Sequence, residues 1–206
     1  EGVLSEMRTN HGEKDVRVFN FEDDNIAVNR QWFLEFLKAV CADPLLENIE
    51  LTAMNGIGYP HLDAQVLGWM HQAGFRQLNL SYVTHDVRLR LRHRRPDRDR
   101  DVARIVTEAK NLGFFVTVYV IIGLPEQTVA EIKESIDYLL GLGVLVGPSV
   151  FYIPPGSRLY DRLDLTPEVD ENWNLYRSSA FAVETGNLSR ADLVDLFVYA
   201  RRRNLE

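Results

Sequence analysis

The chain has 206 residues, of which 46% are hydrophobic and 26% charged, and a formal net charge of −7. It is long enough for one compact domain with a substantial core, and the negative charge argues against a nucleic-acid partner. No apolar run reaches the roughly 18 residues of a membrane span, no signal peptide is visible, and a lone cysteine, Cys41, excludes an internal disulfide or a multi-cysteine metal site, so the cytoplasm is the simplest location.

Chain order begins with Glu1, which is not a Met and lies inside what reads as a helix, so the sequence has the look of an excised piece. The first strand expected is 15–22, built on Val16-Arg17-Val18-Phe19-Asn20-Phe21. It runs out into Glu22, Asp23, Asp24 and Asn25, three carboxylates that repel one another. The apolar spacing of Trp32, Phe33, Phe36, Leu37 and Val40 predicts a helix over Asn29–Ala42, with Asn25 or Asn29 as its cap. Strand 48–54 follows, and Asn55-Gly56 leads into a long segment. Val66, Leu67 and Met70 mark a helix over Asp63–Ala73, and 77–82 is the next strand.

Residues 88–101, RLRLRHRRPDRDRD, hold seven arginines among aspartates and no aromatic residue. That mixture reads as a solvated helix face laced with ion pairs. His85 beside Asp86 reads as an ordinary surface pair. A helix over Asp99–Leu112, strand 115–122, a helix over Thr128–Leu140 and strand 149–153 complete the alternation. Gly74, Gly113 and Gly141 are the expected helix stops, and Thr128 with Glu131 the expected capping box. Beyond Pro154-Pro155-Gly156 only helices are expected, over 170–182 and 188–203, the latter capped by Ser189 with Asp192. The final Leu205-Glu206 resembles a cloning scar.

Strands and helices alternating on a pitch of about 30 residues define βαβ units and a parallel sheet. In such sheets ligands gather beyond the carboxyl ends of the strands, and all five predicted ends carry polar residues, Gly or Pro. Paired carboxylates at one such end, Asp23 and Asp24, can accept hydrogen bonds from an ammonium or hydroxyl, or hold a divalent ion. No histidine or cysteine spacing indicates a metal site.

Several stretches together resemble the radical S-adenosylmethionine enzymes, especially the subgroup associated with cobalamin. They are Asp23-Asp24-Asn25 after one strand, LDAQVLGWMHQAGF at 62–75, VTVYVIIGLPEQT at 116–128, the PPGSRLY turn at 154–160, and Arg95-Pro96. The resemblance covers about residues 1–163, leaving 164–204 as a C-terminal helical segment. It implies an α/β fold, a partial TIM-like (β/α)6 barrel holding that barrel's second to sixth strands, with S-adenosylmethionine across the strand ends. It would place Asp23, Asp24 and Asn25 at the methionine ammonium, and Ser81 and Thr84 near the ribose or carboxylate. Tyr119, Ile121, Gly123, Leu124 and Pro125 would lie along the adenine.

The sequence departs from that family in two ways. The CxxxCxxC motif that holds a [4Fe–4S] cluster is absent, and Ser81 stands where the family usually has Glu. The resemblance therefore implies a parent enzyme that uses S-adenosylmethionine, a [4Fe–4S] cluster and, in some members, cobalamin on a small-molecule substrate, and a fragment that is inactive by itself. It also implies an unpaired edge at strand 15–22 and self-association through it. Two other readings stay open: a divalent-metal-dependent barrel lyase or hydrolase using Asp23 and Asp24, and a non-catalytic module that binds a nucleotide or a protein.

Overall fold

A computed structural model describes residues 2–93, 99–157, 160 and 171–206. Its elements, in order, are α1 (Gly2–Lys14), β1 (Val18–Asn20), α2 (Arg30–Cys41), β2 (Glu50–Thr52), β3 (Ile57–Gly58), α3 (Ala64–Gln72), β4 (Gln77–Val83), α4 (Val87–Arg92), α5 (Asp99–Asn111), β5 (Phe115–Ile122), α6 (Val129–Gly141), β6 (Leu145–Val150) and a last helix, α7 (Arg190–Arg203). Two compact units divide these elements. One comprises 1–82 with 97–118, the other 83–96 with 119–206.

In the first unit β1 pairs with β2 in parallel, Phe19 opposite Leu51 and Asn20 opposite Thr52. β3 pairs with β4 in parallel, Gly58 opposite Ser81, and β4 is followed by the first half of β5, where the Phe115 N–H meets the Arg76 carbonyl at 3.0 Å. Phe33, Phe36, Leu37 and Val40 of α2 are buried, as are Val66, Leu67 and Met70 of α3 and Val102, Ile105, Val106 and Ala109 of α5. These are the stripes expected from the helical period. An aromatic cluster links sheet to helix: Phe21 lies 5.4 Å edge-on from Phe36 and 6.5 Å from Phe75, which meets Phe33 at 6.4 Å.

In the second unit the rest of β5 neighbours β6, with the Phe151 N–H on the Ile122 carbonyl at 2.8 Å. Along β5 the even-numbered residues Val116, Val118, Val120 and Ile122 are buried, while Thr117, Tyr119 and Ile121 are partly exposed. That period of two separates a covered face from a more open one. The Asn204 side chain takes the place of a further strand at β6, accepting from the Val146 N–H at 2.9 Å and donating to the Val146 carbonyl at 2.8 Å.

Several sequence expectations are met closely. Asn29, one of the two caps expected, caps α2, and Thr128–Glu131 and Ser189–Asp192 form complete capping boxes; Asp63, not singled out as a cap from the sequence, caps α3. Gly74 and Gly113 turn the chain at φ +104° and +87°.

Others need correction. α6 runs through Gly141, and Gly143 at φ +68° makes the turn, because the helix keeps its backbone bonding through Leu142. The strand expected at 149–153 lies at Leu145–Val150, because Pro148 is tolerated in a strand of this edge type. Strands 15–22 and 48–54 shorten to three residues each, and Asn55-Gly56 leads into β3, with Gly56 at φ +91° kinking the chain between Leu51 and Ile57-Gly58, which keep one direction and pair in parallel with Phe75 and with Leu80-Ser81. The helix expected over 170–182 is, among the described residues, a 3-10 turn at Trp173–Leu175. The chain then passes through bends and a turn over 176–180, and the Ser178 carbonyl accepts the Val150 N–H at 2.9 Å. The boundary expected near 163, Arg95-Pro96 and part of the PPGSRLY turn lie outside the described residues. Within 88–101, Arg88 and Arg92 pair with Glu131 and Glu126 as expected of a solvated face, but Arg90 is buried.

Candidate functional site

In the first unit the carboxyl end of β1 is held by amides, which engage Glu22 and leave Asp23 and Asp24 open. Asn20 Oδ1 accepts the Met54 N–H at 3.0 Å, and Asn55 Nδ2 donates to the Glu22 carbonyl at 2.9 Å. Glu22 also receives Asn20 Nδ2 through its carboxylate. These bonds zip the exits of β1 and β2 together. Asn25 does not cap α2, since Asn29 does so through the Trp32 N–H at 3.1 Å. Asn25 Oδ1 accepts instead from the Gly58 N–H at 3.4 Å, and its carbonyl closes a turn with the Val28 N–H at 3.1 Å.

A Cβ on Gly58 would come within 3.0 Å of Asn25 Nδ2, so this glycine allows the Asn25 amide to lie against β3. Gly58 in turn is opposite Ser81 on β4. The fold thus brings Asn25 and Ser81 to the two sides of Gly58. Asp23 and Asp24 are exposed, and among the described residues neither carboxylate has a hydrogen-bond or ion-pair partner.

One group here was not singled out from the sequence. Thr52, at the end of β2, is 7% exposed, and its Oγ1 is buried with no hydrogen-bond partner among the described residues. Nothing in a threonine at a strand end distinguishes it beforehand from one facing solvent; only burial does.

In the second unit Val83 leaves β4 at φ +76°, a conformation that β-branched residues rarely adopt. Thr84 follows, fully buried, with Oγ1 accepting from the Asp86 N–H at 3.2 Å. The Asp86 carboxylate caps α4 through the Leu89 N–H at 2.7 Å. Burial pushes its pKa up, but the Leu89 N–H, Glu131 and the Arg88 charge outweigh this and hold it below the usual aspartate value. The His85 ring lies beside Tyr138 at 4.4 Å, and the His85 backbone N–H donates to Ser135 Oγ at 2.9 Å.

Tyr119 is partly exposed, and burial pushes its phenol above the ordinary value. At the end of β5, Ile121 and Pro125 are partly exposed while Gly123 and Leu124 are buried. Gly123 sits at φ +94°, and a Cβ there would meet Leu193 Cδ2 at 3.0 Å.

A [4Fe–4S] cluster does not fit the residues of this chain. Its irons need thiolate ligands, and the chain has a single cysteine, Cys41, exposed at the last residue of α2. Among the described residues no group of three or more His, Cys, Asp or Glu comes together as ion ligands, so nothing in the geometry favours the divalent-metal reading. Nor is any described helix long and apolar enough to cross a membrane.

The mixed α/β fold, with its parallel strand pairs, is similar to part of the fold of solved radical S-adenosylmethionine enzymes. Its solved counterparts include the radical S-adenosylmethionine methyltransferase TsrM from Kitasatospora setae, with cobalamin and a [4Fe–4S] cluster bound. That similarity has a TM-score of 0.66 and 17% identity over 95% of this chain and 40% of that one. Coproporphyrinogen III oxidase (HemN) from Escherichia coli, a radical SAM enzyme, is similar at TM-score 0.65 and 12% identity, over 97% of this chain and 45% of that one. Methylornithine synthase (PylB) is similar at TM-score 0.53 and 15% identity, over 88% and 48%. The chain thus spans less than half the length of each, and likeness at these identities concerns the fold. No protein-family model matches the chain, and no curated protein matches it.

Proposed function

We propose that this chain is the cofactor-holding part of a radical S-adenosylmethionine enzyme, and that by itself it does not carry out the reductive reaction. The observation that carries the reading is the exit of β1 in this fold: two adjacent carboxylates, exposed and without partners among the described residues, on a frame of amide hydrogen bonds. Unpaired like charges repel, and a ligand ammonium offsets that repulsion with charge-assisted hydrogen bonds. The amino group of S-adenosylmethionine is such a cation. One of Asp23 and Asp24 accepts it, and Asn25, held by Gly58, orients the segment.

S-adenosylmethionine, when bound beside a reducing cluster, supplies carbon-radical chemistry. The thiolates for such a cluster are not among these residues, which is why the isolated chain is assigned binding and not turnover. Substrate and any cobalamin belong to the whole enzyme in this proposal. Ser81 and Thr84 are assigned to ribose or carboxylate, and Tyr119, Ile121 and Gly123–Pro125 to the base. Each assignment is testable by its own substitution.

Calorimetric titration of S-adenosylmethionine into the wild type, Asp23→Ala and Asp24→Ala tests the reading. Loss of one charge-assisted pair is expected to weaken binding roughly tenfold or more in one variant. 5′-Deoxyadenosine, which lacks the ammonium, should bind all three proteins alike. Equal binding of S-adenosylmethionine to all three would refute the role of the carboxylates.

We also assign self-association to β1, which pairs only with β2 among the described residues and whose Val18 is 55% exposed. Val18→Lys should shift a sedimentation profile from dimer to monomer, because charged side chains blunt an exposed edge. A wild type that sediments as a monomer at all concentrations would end that part of the proposal.

A further inference from the structure

The side chain of Gln127 is 1% exposed, and its polar atoms are committed to backbone. Its Oε1 accepts the N–H groups of Gly123 at 2.9 Å and Leu124 at 2.8 Å, and its Nε2 donates to the Ile121 carbonyl at 3.1 Å. The neighbouring carbonyls are also taken: Ile122 accepts the Phe151 N–H at 2.8 Å, and Leu124 accepts the Gln127 N–H at 3.1 Å. Two successive amides aimed at one oxygen form a nest, the concavity that elsewhere takes phosphate or carboxylate. Gly123 at φ +94° provides the left-handed step such a nest needs, and Leu193 packs against it from α7.

We infer that Gln127 is a positioning and specificity-determining residue whose carboxamide oxygen fills the anion nest at the end of β5. With both of these amides spent, and Pro125 carrying no N–H, the stretch 123–125 offers a ligand apolar side chains and no backbone donor. Ile121 and Pro125 are its partly exposed apolar residues, and Glu126, 46% exposed at its side chain, adds a carboxylate that Arg92 pairs. Such a surface takes an uncharged planar group, a nucleoside base, and rejects a phosphate. The identity of that base as the adenine of S-adenosylmethionine rests on the proposed function. The filled nest does not.

Amide exchange and shift perturbation in the 15N-labelled chain, with inorganic phosphate as probe, test the inference. In the wild type the Gly123 and Leu124 amides are expected to be protected and unmoved by phosphate. In Gln127→Ala they should exchange roughly tenfold faster or more, the loss of one hydrogen bond each, while amides in the middle of α6 are unchanged. They should also shift on addition of phosphate, which enters the emptied nest. Gln127→Glu, measured at a pH where the buried carboxyl is protonated, keeps the accepting oxygen and lets its hydroxyl donate to the Ile121 carbonyl as Nε2 does, so protection and indifference to phosphate should both persist; this variant decides the matter if the alanine variant does not fold. Phosphate-dependent shifts of these two amides in the wild type, or unaltered protection in Gln127→Ala, would overturn the inference, as would lost protection in Gln127→Glu. 5′-Deoxyadenosine separates the two readings. Failure of the wild type to bind it while the amide pattern holds would sink the adenine assignment alone.

Discussion

Replacing Gly113, Gly123 and Gly74 by alanine, one at a time, separates backbone strain from steric conflict. All three lie at similar positive φ, +87°, +94° and +104°. The Cβ added at each meets different surroundings. At Gly113 nothing lies within 4 Å, so the cost is the left-handed conformation alone, about 1–2 kcal/mol. At Gly123 the Cβ would sit 3.0 Å from Leu193 Cδ2, the end of a side chain that can yield by changing rotamer, which adds about 1 kcal/mol of overpacking. At Gly74 it would sit 2.4 Å from the Ile49 carbonyl oxygen, which is backbone and cannot yield without moving the start of β2, whose Leu51 N–H bonds to the Gly74 carbonyl at 3.2 Å. That cost should reach about 4 kcal/mol or more, a loss that leaves little folded protein.

Urea titrations followed by circular dichroism give the order: a modest fall in midpoint for Gly113→Ala, a larger one for Gly123→Ala, and no cooperative transition for Gly74→Ala. Only Gly123→Ala should in addition weaken 5′-deoxyadenosine binding. Equal midpoints for Gly113→Ala and Gly123→Ala, or a stable Gly74→Ala, would show that φ decides the cost and that the contacts do not.

Thr52→Val removes a buried hydroxyl that has no partner among the described residues and keeps the β-branched shape, so it should stabilise the fold by about 1 kcal/mol and raise Tm by about 2–4 °C in a thermal scan. A lowered Tm would show that the hydroxyl is bonded. Asp63 caps α3 and meets Arg30 at 2.7 Å; burial pushes its pKa up, but the Val66 N–H and Arg30 outweigh this and hold it below the usual carboxylate value. A folded-state pKa below the unfolded value of about 3.9 gives stability that is present above that value and lost as pH falls through the folded one. Asp63→Asn keeps a capping oxygen and loses this titration, so midpoints of wild type and variant should converge as pH drops below about 4. A constant difference from pH 7 to pH 3 would exclude Asp63 as a source of acid sensitivity.

Alternation of strands and helices, the apolar stripes of α2, α3, α5 and α6, and the capping boxes at Thr128 and Ser189 were legible in the sequence, because each depends on residues within a turn or two of one another. The choice of Asn29 over Asn25 as the α2 cap was not. Either residue type suits the position, and Asn25 is diverted by Gly58, 33 residues away. β3 was missed for the same reason: two residues have no periodicity, and pairing with β4 is what makes Ile57-Gly58 a strand. The helix expected over 170–182 gave way, among the described residues, to turns in which the Ser178 carbonyl bonds the Val150 N–H of β6.

The candidate site divides in the same way. Local chemistry determined that acidic residues end β1 and that Gly-Leu-Pro ends β5, since charge, missing N–H groups and permitted φ are properties of single residues. Only the tertiary structure decided that, among the described residues, Asp23 and Asp24 are left without partners and the Thr52 hydroxyl is buried unpaired, and that Gln127 consumes the amides of its own turn. Those outcomes depend on which groups lie within about 3 Å through space, the reach of a hydrogen bond. Chain order does not specify that distance; packing does.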